Sequence, residues 1–272
     1  MVTRIITAAL GIPVFLYALW VGGLPWALFI GLLTALGSWE IARLLQRPEA
    51  KRTPEPLLII VGGLLFVRLA YVSTETTAAE WVLPLICGIA LAAFVREIFA
   101  PQRKPLRGVG GTLLGVIYVG GFFSHLVLLR EGPDGFLTTL MVTLGIWISD
   151  SAAYFGGRAY GRRKLLPAVS PNKTWEGSLT GLAATGVFGA LFAYFVSDLA
   201  WPAGAAMGLF ISTAGQLGDL AASALKRESG IKDTGGLLPG HGGIIDRFDS
   251  LLFAAVVVYY GQTLLLKEWL MG

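Results

Sequence analysis

The chain has 272 residues, of which 55% are hydrophobic and only 14% are charged. A soluble domain carries roughly a quarter charged residues, so this composition excludes an ordinary water-soluble enzyme and predicts a polytopic membrane protein. Lys and Arg outnumber Asp and Glu by 21 to 17, and the placement of the resulting net charge of +4 is more informative than its size. The single Cys87 lies in an apolar run, which excludes a disulfide framework and a thiolate metal cluster.

Nine apolar segments follow one another, each near the roughly 20 residues that a helix needs to cross a bilayer. We therefore predict an all-α polytopic membrane protein with nine transmembrane helices. The first segment begins after Arg4, as a signal peptide would, but no convincing cleavage site follows it, so we expect it to remain a helix. The predicted spans are Ile5 to Val21, Leu24 to Leu45, Leu57 to Val72, Trp81 to Phe99, Val109 to Leu129, Phe136 to Phe155, Leu179 to Val196, Ala203 to Leu225 and Ile244 to Leu266.

Lys and Arg are concentrated in the loops after spans two, four, six and eight, and such an excess is typical of cytoplasmic loops. The intervening loops hold mainly acids, such as Glu75, Glu80 and Asp198. This alternation predicts a cytoplasmic N-terminus and an external C-terminus. We divide the chain into N-terminal helices at 1–130 and a C-terminal catalytic region at 131–272, with cytoplasmic loops at 156–178 and 226–243.

The stretch from Asp219 to Asp249 places carboxylates, cations and glycines between two apolar helices. Asp219 and Ser223 are four residues apart and share one helical face, as do Asp246 and Asp249, which are three apart. Asp219 and Asp246 are predicted near the cytoplasmic ends of their helices, where they can hold one or two hard cations such as Mg²⁺. Charges within a membrane are costly and usually functional, although an internal ion pair involving Arg247 is the alternative.

Four basic side chains accompany these acids. Phosphoryl or nucleotidyl transfer requires acidic side chains that hold a metal and basic side chains that bind phosphate. The four basic side chains are Lys226, Arg227, Lys232 and Arg247. Before the last span, the backbone N–H groups of Gly240, Gly242 and Gly243 form a candidate anion site at a helix N-terminus. A tight re-entrant turn is the alternative. His241 is a phosphate-binding donor, a general acid or a buried structural histidine.

The loop after span six is the second polar region. Lys173 and Arg158 can reach the phosphate of a nucleotide or of a lipid. Ser170 and Thr174, with Glu176, can cap the start of the next helix. For the basic run at 162–164, contact with anionic head groups is the favoured interpretation. The substrate-binding candidates in this loop are Arg158, Asn172, Lys173 and Thr174.

Two further acids end predicted spans beside an arginine. Glu40 precedes Arg43 at the end of span two, and Glu97 follows Arg96 at the end of span four. We interpret both as interfacial pairs outside the active site, because charged side chains near helix ends reach the polar edge of a bilayer.

The residues from Ser223 to Asp249 resemble the signature of the phosphatidate cytidylyltransferases, also called CDP-diacylglycerol synthases. Every position of the pattern is present, and it reads Ser-x-Leu-Lys-Arg-x4-Lys-Asp-x-Gly-x2-Leu-Pro-x-His-Gly-Gly-Ile-x-Asp-Arg-Phe-Asp. The segment from Asp150 to Gly177 is also similar to the family, with departures at Ser151, where threonine is common, and at Asn172, where lysine is common. The resemblance is strong over the C-terminal half and weaker in spans one to five.

The resemblance implies a nucleotidyltransferase of phospholipid biosynthesis that converts CTP and phosphatidic acid into CDP-diacylglycerol and pyrophosphate. It implies Mg²⁺, with K⁺ as a candidate second cation, and a homodimer in a bacterial-type inner membrane, with the active site facing the cytoplasm and no nucleic-acid partner. The expected metal ligands are Asp219, Asp246 and Asp249. The expected catalytic residues are Asp219, Ser223, Lys226, Arg227, Lys232, Asp233, His241, Asp246, Arg247 and Asp249.

Three other functions fit parts of the pattern. A CTP-dependent kinase of a polyprenol or dolichol would share the nucleotide and the membrane, but it would move the γ-phosphate to an alcohol. A CDP-alcohol phosphotransferase is disfavoured because its Asp-Gly-x2-Ala-Arg start is absent near Asp219. A transporter or channel would bind an ion with the same acids, but transporters usually show repeats and broken helices at the bilayer midplane.

Overall fold

The described part of the chain folds into nine α-helices and one small β-hairpin. The structure is a computed structural model, and it describes residues 2–45, 55–73, 78–100, 105–197, 199–236 and 242–266. The helices are α1 Val2–Val21, α2 Gly23–Leu44, α3 Pro56–Ser73, α4 Val82–Ile98, α5 Pro105–Glu131, α6 Gly135–Tyr160, α7 Trp175–Val196, α8 Trp201–Glu228 and α9 Ile245–Tyr260. The predicted helical class is therefore confirmed.

Three short segments depart from α-helical geometry. A 3-10 turn at Ala78–Trp81 precedes α4, a π-helical turn at Val116–Gly121 lies within α5, and a π-helical segment at Gly261–Leu266 follows α9. Such π turns are rare, and they add a residue to one turn of an otherwise regular helix.

Among the described residues, five helices are long and apolar enough to cross a membrane, namely α2, α3, α5, α6 and α7. They coincide with predicted spans two, three, five, six and seven. The full count of nine spans and the orientation stay predictions. Several loop residues used to predict the orientation lie outside the described residues, and these are Arg47, Lys51, Arg52, Glu75, Arg103, Lys104 and Asp198.

The first of two compact units comprises Met1–Pro133 and Glu228–Arg247, and so includes α1 to α5. Small residues allow its helices to approach closely, because a Cβ added to Gly120 of α5 would stand 2.3 Å from the Cα of Gly63 in α3. The fully buried Trp26 of α2 donates its indole N–H to the carbonyl oxygen of Leu126 in α5 at 2.9 Å. Helices α2, α3 and α5 thus form the packed centre of this unit.

The turn between α1 and α2 is held by the last residues of α5. Arg130 donates from Nε to the carbonyl oxygen of Leu19 at 2.6 Å and from Nη2 to that of Trp20 at 3.1 Å. The Glu131 carboxylate accepts from the N–H of Gly23 at 2.7 Å. A cation near the C-terminus of a helix and an anion near the N-terminus are both stabilised by the helix dipole, because each meets a partial charge of opposite sign. These contacts fix the hairpin of α1 and α2 on α5.

The second unit comprises Asp134–Arg227 and Phe248–Gly272, and it includes α6, the β-hairpin, α7 and α8. Its helices also cross at glycines. A Cβ at Gly177 of α7 would stand 2.6 Å from the carbonyl oxygen of Ala153 in α6, and one at Gly208 of α8 would stand 2.2 Å from that of Thr185 in α7. The close crossings bring polar side chains of three helices together.

An antiparallel hairpin joins α6 to α7, with β1 at Lys164–Leu166 and β2 at Ser170–Thr174. Thr174 caps α7 as predicted, because its Oγ1 accepts from the N–H of Gly177 at 3.2 Å. The Glu176 carboxylate accepts from the backbone N–H groups of Arg162 and Arg163 at 3.0 and 3.2 Å, which holds the start of the hairpin on α7. The strands were not predicted, since they lack the alternation of apolar and polar residues that identifies strands.

Candidate active site

A cavity of about 650 Å³ lies in the second unit, lined by residues of α6, the hairpin, α7 and α8. Its polar lining includes Asp150, Lys173, Gln216 and Asp219. Cavities that take small-molecule ligands have volumes of roughly 300–1,000 Å³. The cavity is therefore large enough for a small-molecule ligand, and it offers both signs of charge.

Lys173 and Asp219 form an ion pair in this cavity. The Lys173 Nζ lies 2.6 Å from Asp219 Oδ2, and the two side chains are 27% and 35% exposed. Ion pairs open to solvent contribute little to stability, so a phosphate can replace the carboxylate and a cation can replace the ammonium. The Ser223 hydroxyl donates to Asp219 Oδ1 at 3.3 Å, which confirms that these residues share a helical face.

A chain of polar side chains connects α6, α7 and α8 beside the cavity. The Gln216 amide nitrogen donates to the carbonyl oxygen of Ser178 and to the hydroxyl of Ser212, both at 3.1 Å. The Ser178 hydroxyl donates to the Gln216 amide oxygen, and the hydroxyls of Ser149 and Ser212 lie 2.7 Å apart. Because Gln216 precedes Asp219 by three residues, this chain fixes the part of α8 that carries the carboxylate. Sequence reasoning missed Gln216, and its position on the face of Asp219 is the signal that would have found it.

Asp249 is buried in the same unit, with 7% of its surface exposed. Its Oδ1 accepts from the N–H of Ser250 at 2.7 Å. A Cβ on Gly218 would stand 2.4 Å from the Asp249 carbonyl oxygen, so α8 and α9 touch at this point. Gly218 directly precedes Asp219 in α8. The structure therefore brings two of the three predicted metal ligands into one neighbourhood.

Two predicted cations lie at the polar edge of this unit. The exposed Arg227 donates from Nε to the carbonyl oxygen of Val169 at 3.3 Å, which ties the end of α8 to the hairpin turn. The exposed Arg158 donates to the hydroxyl of Tyr154 at 3.3 Å. The cavity is also lined by Arg158, Asn172 and Thr174. All four predicted binding residues of this loop thus border the cavity.

In the first unit, the segment before α9 is organised around Asp246. Its Oδ2 accepts from the N–H of Thr234 at 2.8 Å, from the Thr234 hydroxyl at 3.0 Å and from the N–H of Gly243 at 3.0 Å. Gly242 has a φ of 85°, a left-handed conformation that glycine adopts without strain. A Cβ at Gly242 would also stand 2.8 Å from Asp246 Oδ2. Asp246 therefore holds Thr234 and Gly243 on one carboxylate oxygen.

Glu40 of α2 belongs to the same arrangement, so its prediction as an interfacial residue was wrong. Only 1% of Glu40 is exposed. Its Oε1 accepts from the N–H of Ile244 at 2.9 Å, and its Oε2 accepts from the N–H of Ile245 at 3.0 Å. The Thr234 hydroxyl lies 3.2 Å from Glu40 Oε2. These contacts join residues about 200 positions apart, and no local pattern indicates them.

The pairing of Arg96 with Glu97 is confirmed, whereas their place at the membrane interface stays a prediction. Arg96 donates from Nη1 to Glu97 at 3.0 Å and from Nε to Glu55 at 2.8 Å. Arg43 lies over the ring of Trp39, with 5.3 Å between the guanidinium carbon and the ring centroid. Arg96 thus connects the ends of α3 and α4.

Several predicted site residues are not placed in either arrangement. His241 and Gly240 lie outside the described residues. Lys232, Asp233 and Arg247 are exposed. Across the described ranges, no group of three or more His, Cys, Asp or Glu side chains is arranged to hold a metal ion. The metal ligands stay predictions.

These features define a class, a helical membrane protein with acidic and basic side chains gathered around a polar cavity. Comparison with known protein families gives the particular family. The model of the cytidylyltransferase family matches residues 2–265, which is nearly the whole chain. This chain therefore belongs to the cytidylyltransferase family, as the signature residues predicted.

Curated relatives show similarity at full length. The phosphatidate cytidylyltransferase of Brucella suis biovar 1 is 37% identical over 261 residues, covering 94% of this chain and 91% of the relative. That of Bacillus subtilis is 36% identical over 264 residues, covering 94% and 96%. That of a Synechocystis species is 35% identical over 300 residues and covers 97% of each.

Proposed function

We propose that this chain transfers CMP from CTP to phosphatidic acid, giving CDP-diacylglycerol and pyrophosphate. It is a nucleotidyltransferase by family, and its full-length relatives carry the name of this activity. The structural observation that supports the proposal is the solvent-accessible ion pair of Lys173 and Asp219 in a cavity large enough for a small-molecule ligand. An anionic substrate and a cation together can replace the two partners.

The chain's own residues bind and orient the substrate phosphates. We assign to Lys173 and Arg158 the phosphates that enter the cavity, because both line it and carry positive charge. Lys226, Arg227, Lys232 and Arg247 neutralise the triphosphate and the departing pyrophosphate, and such fixed charges stabilise a transition state in which negative charge moves. Thr174 and Glu176 hold the hairpin that carries Lys173.

The donor atoms fit Mg²⁺, which takes oxygen ligands and is commonly held by one or two carboxylates together with substrate phosphates and water. The ligands we propose are Asp219, Asp246 and Asp249, with K⁺ as a candidate second cation. A Mg²⁺ ion held there would supply Lewis-acid polarisation of a phosphate group of CTP. The Ser223 hydroxyl orients the Asp219 carboxylate through its bond to Oδ1.

In the reaction, an oxygen of the phosphatidate phosphate attacks the α-phosphorus of CTP. The new P–O bond forms as the bond to the β-phosphate oxygen breaks, and pyrophosphate leaves with that electron pair. The lipid phosphate is itself the nucleophile, so the protein supplies no covalent intermediate. Its contribution is positioning and charge, as in other transfers of phosphorus groups. We also propose a homodimer with the site facing the cytoplasm, where CTP and membrane lipid are both accessible.

The test is a turnover assay with purified protein in detergent. It would contain phosphatidic acid, labelled CTP and Mg²⁺, with a chelator control, and the label would be followed into the organic phase. We expect metal-dependent transfer of the α-phosphate label into CDP-diacylglycerol. Label moving only from the γ-position, and only to an added polyprenol, would indicate a lipid kinase. No transfer by folded protein would favour the transport alternative.

A further inference from the structure

We propose that Glu40 is a positioning residue, which holds the N-terminus of α9 and the side chain of Thr234 so that the Asp246 carboxylate keeps one geometry. This inference rests on the proposed function, because it assumes that Asp246 acts in the reaction. Glu40 lies in α2, within the half of the chain that carries the weaker resemblance to the family signature.

The first argument is that Glu40 caps α9 from a distant helix. The first N–H groups of a helix have no partner within it, and a nearby side chain or water usually satisfies them. Here the Glu40 carboxylate accepts from Ile244 and Ile245 with one oxygen each, at 2.9 and 3.0 Å. A carboxylate at a helix N-terminus is also favoured by the helix dipole. The start of α9 is therefore attached to α2 by two charge-assisted bonds.

The second argument is that Thr234 links Glu40 to Asp246. Its hydroxyl lies 3.2 Å from Glu40 Oε2 and 3.0 Å from Asp246 Oδ2. A hydroxyl has only one proton to donate, so the two carboxylates share the Thr234 hydroxyl as a donor. Thr234 is 6% exposed, and its N–H donates to Asp246 as well. Movement of Glu40 therefore changes the donors around Asp246 directly.

The third argument is that two glycines leave room for the Glu40 carboxylate where any larger residue would contact it. A Cβ at Gly243 would stand 2.4 Å from Glu40 Oε2 and 2.3 Å from Thr234 Oγ1. A Cβ at Gly235 would stand 2.7 Å from Glu40 Oε1. Buried carboxylates are retained where hydrogen bonds satisfy them, and among the described residues those of Glu40 lead to Thr234, Ile244 and Ile245. The packing is thus specific to Glu40 and the segment that contains Asp246.

The test compares Glu40→Gln with Glu97→Gln in the full-length protein in detergent. Gln preserves the shape of Glu40 but places an NH₂ group against a backbone N–H donor. Glu97 is a suitable control, since it is also a buried carboxylate of the first unit, at 6% exposure, and its described partner is Arg96. Two properties would be measured, hydrogen exchange of the peptides covering 234–245 and binding of Mn²⁺ by electron paramagnetic resonance, with CTP present and phosphatidate absent.

We expect Glu40→Gln to accelerate exchange in 234–245 and to weaken Mn²⁺ binding about 10- to 100-fold, the usual loss when a residue that orients a metal ligand is replaced. Glu97→Gln should leave both properties within about twofold of the wild type, even where it lowers the unfolding temperature. Wild-type Mn²⁺ affinity in folded Glu40→Gln protein would overturn the proposal, as would the same loss in Glu97→Gln. Weaker Mn²⁺ binding with unchanged exchange would also overturn it, because Glu40 would then act by another route.

The turnover assay separates this inference from the proposed function. If the wild-type protein forms no CDP-diacylglycerol, the function fails. The exchange measurement still decides whether Glu40 holds the segment. If the wild type is active and Glu40→Gln retains its full kcat and Mn²⁺ affinity, only the role of Glu40 fails.

Discussion

The carboxylates of Asp219 and Asp246 are held in different ways, although the sequence suggests the same role for both. Asp219 is partly exposed and is paired with the flexible side chain of Lys173. Asp246 accepts two backbone N–H groups and a hydroxyl on one oxygen, next to the buried Glu40. A long side chain can leave when a ligand arrives, whereas a backbone donor cannot. The difference indicates that the Asp219 region exchanges partners on binding, while the Asp246 region is preorganised.

The largest expected effect comes from removing the charge of Asp246 without removing its contacts. In Asp246→Asn, the amide oxygen can still accept from Thr234 and Gly243, so the loop should keep its structure. We expect turnover to fall about 10²- to 10³-fold, the scale of losing a preorganised electrostatic contact. Turnover and thermal unfolding would be measured on the same preparation. A near wild-type rate would remove Asp246 from the proposed metal site.

A smaller effect is expected from Lys173→Met, which breaks the exchangeable pair. A hydrogen bond to a charged group contributes about 1.5–3 kcal/mol, which corresponds to a loss of about 10- to 150-fold in kcat/KM. We expect much of this loss in the KM for CTP, since Lys173 meets the incoming phosphate. Lys164→Met, on the neighbouring strand, is the matched control and should change kcat/KM less than about threefold. Equal losses in the two variants would show that general positive charge is sufficient.

The region around Asp246 and Glu40 can be strained by substituting a glycine, with every charged residue left in place. Gly235→Ala places a methyl group 2.7 Å from Glu40 Oε1, whereas a Cβ at the adjacent Gly236 would meet no described atom within 4 Å. We expect Gly235→Ala to lose about 1–3 kcal/mol of unfolding free energy, as overpacked sites do, and to lower kcat about tenfold. Gly236→Ala should resemble the wild type. The comparison fails if both alanine variants have the same thermal stability and rate.

The smallest effect is expected from Ser223→Ala. The bond from Ser223 to Asp219 is long, at 3.3 Å, and Asp219 retains its pairing with Lys173. Although its acceptor is a carboxylate, a bond this long and partly exposed is expected to contribute only the about 0.5–1.5 kcal/mol of an ordinary hydrogen bond, so turnover should fall about 2- to 13-fold. Steady-state kinetics with saturating CTP would measure this. A loss as large as that of Asp246→Asn would mean that Asp219 is also preorganised, and it would remove the contrast between the two regions.

The sequence predicted features that depend on local pattern. Apolar runs of sufficient length predicted the helices, because a helix satisfies its own backbone within a membrane. The spacing of Asp219 and Ser223 placed them on one face, and Thr174 was identified as a helix cap from residue type and position. The signature from Ser223 to Asp249 predicted the family. Each of these inferences uses residues close together in the chain.

Other features were decided by tertiary contacts. The hairpin of β1 and β2 is stabilised by its attachment to α7 through Glu176, and its strands have no alternating pattern of their own. In the sequence, Lys173 belongs to the loop after span six and Asp219 to span eight, and nothing links the two. The crossing of α6, α7 and α8 at glycines brings them together.

Glu40 shows the limit of local reasoning most directly. Beside Arg43 it has the sequence context of an interfacial acid, yet it is buried and caps a helix that begins about 200 residues later. Residue type and periodicity describe what a side chain can do with its near neighbours, whereas a contact between distant segments depends on how the helices pack. The sequence by itself thus determined the helices, the family and the kind of chemistry. Only the tertiary structure decided which carboxylates are free to exchange partners and which are held.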